Sequence, residues 1–148
     1  MQFTALFATI AAFAAVAVAS PTAPVAAVSA SIISDAEMAH FLATTDAELT
    51  FIGEQPNPLA KRSAQTTTVT YCTKAIGSIC GGTCTVYNGG ATCLDAAGTA
   101  CIAATKDVGF CDEAGCNGSC NILSECGTQM ASGFCLTPET ASILVSSL

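Results

Sequence analysis

Ten cysteines lie between Cys72 and Cys135, and residues 1–71 contain none. They are Cys72, Cys80, Cys84, Cys93, Cys101, Cys111, Cys116, Cys120, Cys126 and Cys135. An even number at short spacings, behind an apolar leader, reads as a disulfide framework. Spacing alone leaves the pairing open among on the order of a thousand arrangements. The C-x3-C pairs at Cys80–Cys84 and Cys116–Cys120 are the only zinc-like feature. No C-x2-C pair and no histidine follows them, so five disulfides are expected and no metal or other cofactor.

The cysteine-free half divides further. Ala5 to Ala19 is an apolar run broken only by Thr9, and Ala17-Val18-Ala19 places small residues where a signal peptidase reads them. Fifteen residues are short of the ~20 that span a bilayer as a helix. Residues 1–19 therefore read as a signal peptide cut after Ala19. Residues 20–62 read as an acidic pro-segment ending at Lys61-Arg62, just beyond Pro56-Asn57-Pro58, with Arg62 the only arginine in the chain. A kexin-type cut there leaves residues 63–148 as the mature domain.

The pro-segment carries two helix-start signals. Ser34-Asp35-Ala36-Glu37 is a capping box, with Ile33 and Met38 spaced as a hydrophobic staple around it. Met38, Phe41 and Leu42 then share one face. Thr45-Asp46-Ala47-Glu48 repeats the box before Leu49 and Ile52. Each helix would be too short to stand alone, so the segment reads as short helices packed on the cysteine domain or as a disordered spacer.

The mature domain has 86 residues, of which about 12% are cysteine, with no Trp and only Tyr71, Tyr87, Phe110 and Phe134 as aromatics. So few large side chains make a small core, and covalent staples must supply the difference. The pattern is that of a small disulfide-rich, mainly β domain of short strands and hairpins. Thr66 to Tyr71 alternates and is β-branched. Thr83 to Tyr87 and Ala91 to Leu94 flank Asn88-Gly89-Gly90, which predicts a hairpin. Further strands are expected at 99–104, 108–111 and 133–137, a turn at Thr105-Lys106-Asp107, and a closing strand from Ile143, Leu144, Val145 and Leu148. Cys72–Cys80 and Cys93–Cys101 share the pattern C-x4-G-x2-C, a faint internal echo.

Two lysines against six carboxylates give the mature domain a net charge of −4. An acidic surface repels phosphate backbones and anionic lipid, which argues against nucleic acid and membrane insertion as partners. The chain's one histidine, His40, lies in the pro-segment, so histidine-based catalysis is closed to the mature domain alone. Asp112-Glu113 is the remaining carboxylate pair. Neighbouring residues in a strand point apart, whereas glycoside hydrolysis needs two carboxyls facing across a cleft. No catalytic or cofactor-binding residue is expected. Asn117-Gly118-Ser119 is an N-glycosylation sequon between two cysteines, with Asn117 the acceptor.

The sequence of signal peptide, dibasic pro-segment and ten-cysteine domain resembles the small secreted cysteine-rich, effector-like proteins of filamentous fungi. Hydrophobins and the eight-cysteine fungal surface domain use adjacent Cys-Cys pairs, which are absent here, and defensin scaffolds need a C-x-C. The resemblance implies a monomeric extracellular protein that binds another extracellular protein or a cell-wall component. Two alternatives stand beside it. A protease inhibitor would present the loop around Lys106. An antimicrobial toxin would be expected to be basic, which this domain is not.

Overall fold

The computed structural model describes residues 31–53 and 66–146, a mainly β molecule with one α-helix and five disulfides. The expected cuts after Ala19 and after Lys61-Arg62 fall outside the described residues. Helix α1 spans Asp35–Thr44, and the strands are β1 (Glu48–Gly53), β2 (Thr67–Ile76), β3 (Ile79–Gly89), β4 (Thr92–Ala104), β5 (Gly109–Glu113), β6 (Asn117–Ile122) and β7 (Cys135–Val145). They form one sheet in the order β1-β3-β2-β4-β7-β5-β6, antiparallel except that β1 runs parallel to β3.

That sheet is folded on itself. β3 ends beside Thr67, and β4 starts only three residues later, yet the last residue of β4, Ala104, comes back beside Val69. The ribbon of β4 and β7 must therefore double over. It does so where its register slips twice, between Asp95 and Thr99, at Gly98 (φ 77°) on β4, and between Thr99 and Cys101, at Glu139 (φ 62°) on the facing stretch of β7. One layer then holds β1, β3, β2 and the C-terminal part of β4. The second holds the N-terminal part of β4, the end of β7, β5 and β6. Val69, Tyr71, Ile102 and Ala104 from the first layer meet Leu94, Ala96, Ile143 and Val145 from the second. Mostly aliphatic and alanine side chains fill this core, because two β layers interdigitate at only ~10 Å.

Asn88-Gly89-Gly90 is accordingly not a hairpin turn. β3 has β1 on one edge and β2 on the other, so it has no edge left for β4. Asn88 pairs with Thr68 within the sheet and is buried, its Oδ1 accepting the Thr68 hydroxyl at 3.0 Å. The segment carries the chain from one layer to the other. The tight hairpin joins β2 to β3 through Gly77-Ser78, where Gly77 has φ 59°. The two halves of the C-x4-G-x2-C echo thus differ: Gly77 closes a hairpin, whereas Gly98 sits in the fold of β4. The expected strands at 133–137 and 143–148 are the two ends of one strand, β7, which begins only at Cys135 because Gly133 ends a 3₁₀ turn, and Leu148 lies outside the described residues.

The outer face of the first layer is covered by the cysteine-free segment. Ser34 caps α1, accepting the Glu37 N–H at 3.2 Å while the Glu37 carboxylate accepts the Ser34 N–H at 2.8 Å. Ile33 and Met38 close the staple, and both are buried. The second expected helix is β1 instead. Thr45 Oγ1 accepts from Ala47 N at 3.2 Å, a local turn, and the chain then extends. Thr50-Phe51-Ile52 favours a strand, Gly53 would end a helix within a few residues, and the outer edge of β3 offers a six-residue ladder, Glu48–Gly53 against Thr83–Asn88.

Under α1 lies a second core: Ile33, Met38 and Phe41 against Cys72, Cys80, Cys84, Cys101, Ala103, Met130 and Phe134. The Phe41 and Phe134 rings are tilted at 60° with centroids 4.8 Å apart. Thr70 donates its hydroxyl to Met38 Sδ at 3.2 Å. Full burial of an Ile, Met or Phe side chain stabilises by ~1.5–3 kcal/mol. Thr67 to Cys72 is buried throughout because both faces of β2 are covered. Four of the ten cysteines are buried in this second core, so their sulfurs fill space as well as cross-link.

Candidate interaction surface

The disulfides pair Cys72–Cys84, Cys80–Cys101, Cys93–Cys116, Cys111–Cys120 and Cys126–Cys135. Cys72 and Cys84 face each other directly across β2 and β3, as Cys111 and Cys120 do across β5 and β6, with Cα separations of 4.0 and 4.1 Å. The members of each C-x3-C pair go to different partners. Among the described residues no cluster of metal-ligating side chains occurs.

The β2–β3 hairpin carries the most exposed large apolar side chains described. Ile76 and Ile79 are directly opposed across its end, 74% and 65% exposed, against 45% or less for the next, Ile122. A hairpin tip left to itself would move, but this one is fastened at three points. Cys72–Cys84 closes its base, Cys80–Cys101 ties β3 to β4, and the Ser78 carbonyl accepts the Ala131 N–H at 2.8 Å from the 3₁₀ turn Ala131–Gly133. Gly77 and Gly81 have open space around them. The only charge between Thr73 and Thr83 is Lys74, one of two cations in an otherwise acidic domain. This tip is absent from the expected strands and turns, although Gly-Ser between two isoleucines is a two-residue hairpin signal.

The other expected positions are scattered. Thr105-Lys106-Asp107 is a bend, but a half-buried one. The Thr105 N–H donates to the Thr68 carbonyl, Thr105 Oγ1 accepts the Thr68 N–H, and Asp107 accepts the N–H and hydroxyl of Ser124 at 2.9 and 2.6 Å. The loop lies against the body of the fold. Asp112 and Glu113 are exposed on β5, and Asp112 Oδ1 accepts the Ser119 N–H at 2.8 Å, so it braces the β5–β6 turn. Asn117 is exposed at the start of β6, an outer strand of the sheet, between Cys116 and Cys120. The Tyr71 phenol has its pKa raised, chiefly by burial between the layers.

No protein-family model, curated protein or solved structure matches the chain. Its disulfide density fits a small extracellular cysteine-rich protein. No described helix is long and apolar enough to cross a membrane.

Proposed function

We propose that this chain is a secreted, effector-like binding protein, released by cuts after Ala19 and Arg62, whose contact element is the hairpin tip Ile76-Gly77-Ser78-Ile79. The observation that carries this reading is the pair of opposed, exposed isoleucines on a hairpin fastened at three points. Two rigidly held side chains lose little freedom on docking, so more of their burial appears as affinity. Of the two partner classes, an extracellular protein with an apolar pocket suits the tip better than a cell-wall polysaccharide. The tip has no aromatic ring on which a sugar could stack and few side-chain hydrogen-bonding groups.

The test places a photo-crosslinker at position 76 or 79, and at exposed Glu139 as control, on protein added to intact cells. A discrete crosslinked protein from 76 and 79 but not from 139, abolished by excess wild type and not by Ile76→Ser/Ile79→Ser, is the expected result. Sedimentation with chitin or β-glucan, unaffected by that double substitution, would defeat the assignment of the tip.

A further inference from the structure

The segment expected to be cut away is built into the fold. Ser31–Ile33 lies beside the end of β4: Ile33 N–H donates to the Ala104 carbonyl at 2.9 Å, and Ala104 N–H donates back to Ser31 at 3.3 Å. The chain then crosses the face of the sheet as α1 and joins the far edge of β3 as β1. It straps β4, β2 and β3 together, hydrogen-bonded at both ends and packed between them. Met38 is wholly buried and is among the largest fully buried side chains described. Removing the strap would uncover Phe134, Met130, Ala103 and Thr70 and would open the β3 ladder to solvent, an exposed apolar face with a free strand edge.

The covalent link to the disulfide domain is longer than the gap it must span. Gly53 and Thr68 both sit level with Asn88, on opposite sides of β3, about two inter-strand spacings or ~10 Å apart. The connection between Gly53 and Thr66 is long enough to reach roughly 40 Å. A cut within it therefore releases no strain between the two ends.

We infer that the segment Ser31–Gly53 stays bound after cleavage, so that the mature molecule is a non-covalent pair of a strap peptide and a disulfide domain. The inference takes its setting from the proposed cut after Arg62, but its physical content concerns the groove alone. Because Arg62 is the only arginine in the chain, an arginine-specific protease makes a single cut in the purified, oxidised full chain. Gel filtration of the nicked protein at micromolar concentration, followed by denaturing mass spectrometry, reads the outcome. Both pieces should co-elute and separate only in denaturant. Phe41→Ala and Met38→Ala should weaken the pair on the order of a hundredfold, whereas the exposed His40→Ala should leave it unchanged. Separate elution of the two wild-type pieces overturns the inference, as does a Phe41→Ala pair that binds as tightly as wild type. Finding the secreted protein uncut would instead overturn the processing reading, with the nicked chain still deciding this one.

Discussion

The two described parts of this molecule are held by different forces. The strap, Ser31–Gly53, has no cysteine and depends on three buried side chains, a capped helix and a parallel ladder. The region from Thr66 to Ser146 has five disulfides, and its apolar side chains are mostly Val, Ile and Ala. The contrast explains how so small a core can serve. Staples lower the entropy of the unfolded chain, so the stapled part needs little burial. The unstapled part carries larger side chains and places them over the sulfurs.

Reduction should break this contrast most. Each disulfide typically stabilises by ~2–4 kcal/mol, and several together exceed the ~5–15 kcal/mol net stability of a domain. Full reduction should abolish the β signal in circular dichroism at room temperature, and the helical signal should go with it, because α1 rests on the cystine-containing face. A reduced chain that kept its spectrum and its protease resistance would show that packing, not covalent closure, dominates in both regions.

A smaller effect sharpens the comparison within the strap. Phe41→Ala should destabilise the full chain by ~3–5 kcal/mol in denaturant titration, through loss of the Phe134 contact and the cavity left behind. Ile76→Ala, at the exposed hairpin tip, should stay within about ±0.5 kcal/mol. Equal costs would mean that the strap is not a load-carrying layer of the fold.

A smaller loss than that of Phe41 concerns the cap. Ser34→Ala should cost ~1 kcal/mol. The Glu37 carboxyl has its pKa lowered, chiefly by the Ser34 backbone N–H and then by its hydroxyl. Its folded value therefore lies below its unfolded one. The cap's contribution is complete above the ordinary glutamate range near ~4.3 and is lost as pH falls through the folded value. Thermal melts of wild type and Glu37→Gln between pH 7 and pH 3 should converge at the acid end; a constant gap would disprove the linkage.

What could be read from sequence was the local part. The capping box at Ser34, the Ile33–Met38 staple and the opening strand at Thr66–Tyr71 each depend on neighbours in the chain, and each is found in the fold. Local letters mislead where a distant partner decides. Thr45-Asp46-Ala47-Glu48 has the letters of a capping box, but the free edge of β3 makes the following residues a strand. Asn88-Gly89-Gly90 has the letters of a hairpin, but β1 and β2 already occupy both edges of β3. The disulfide pairing needed the register, since Cys72 meets Cys84 only once Gly77-Ser78 is known to be the turn. The turn at Gly77-Ser78 has a local signal, but the exposure of its two isoleucines does not, because exposure belongs to the folded sheet.

The order of the disulfides along the chain has a consequence of its own. The rings closed by 72–84, 80–101, 93–116 and 111–120 overlap in succession. Every peptide bond from Cys72 to Cys120 therefore lies inside at least one covalent ring. Lys74 and Lys106, the only basic residues beyond Arg62, both fall within that stretch. A trypsin-like enzyme that cut after Lys106 would leave the two pieces tethered by Cys93–Cys116 alone. The nicked molecule would then keep its mass, apart from one added water, until a reductant opened that single tether.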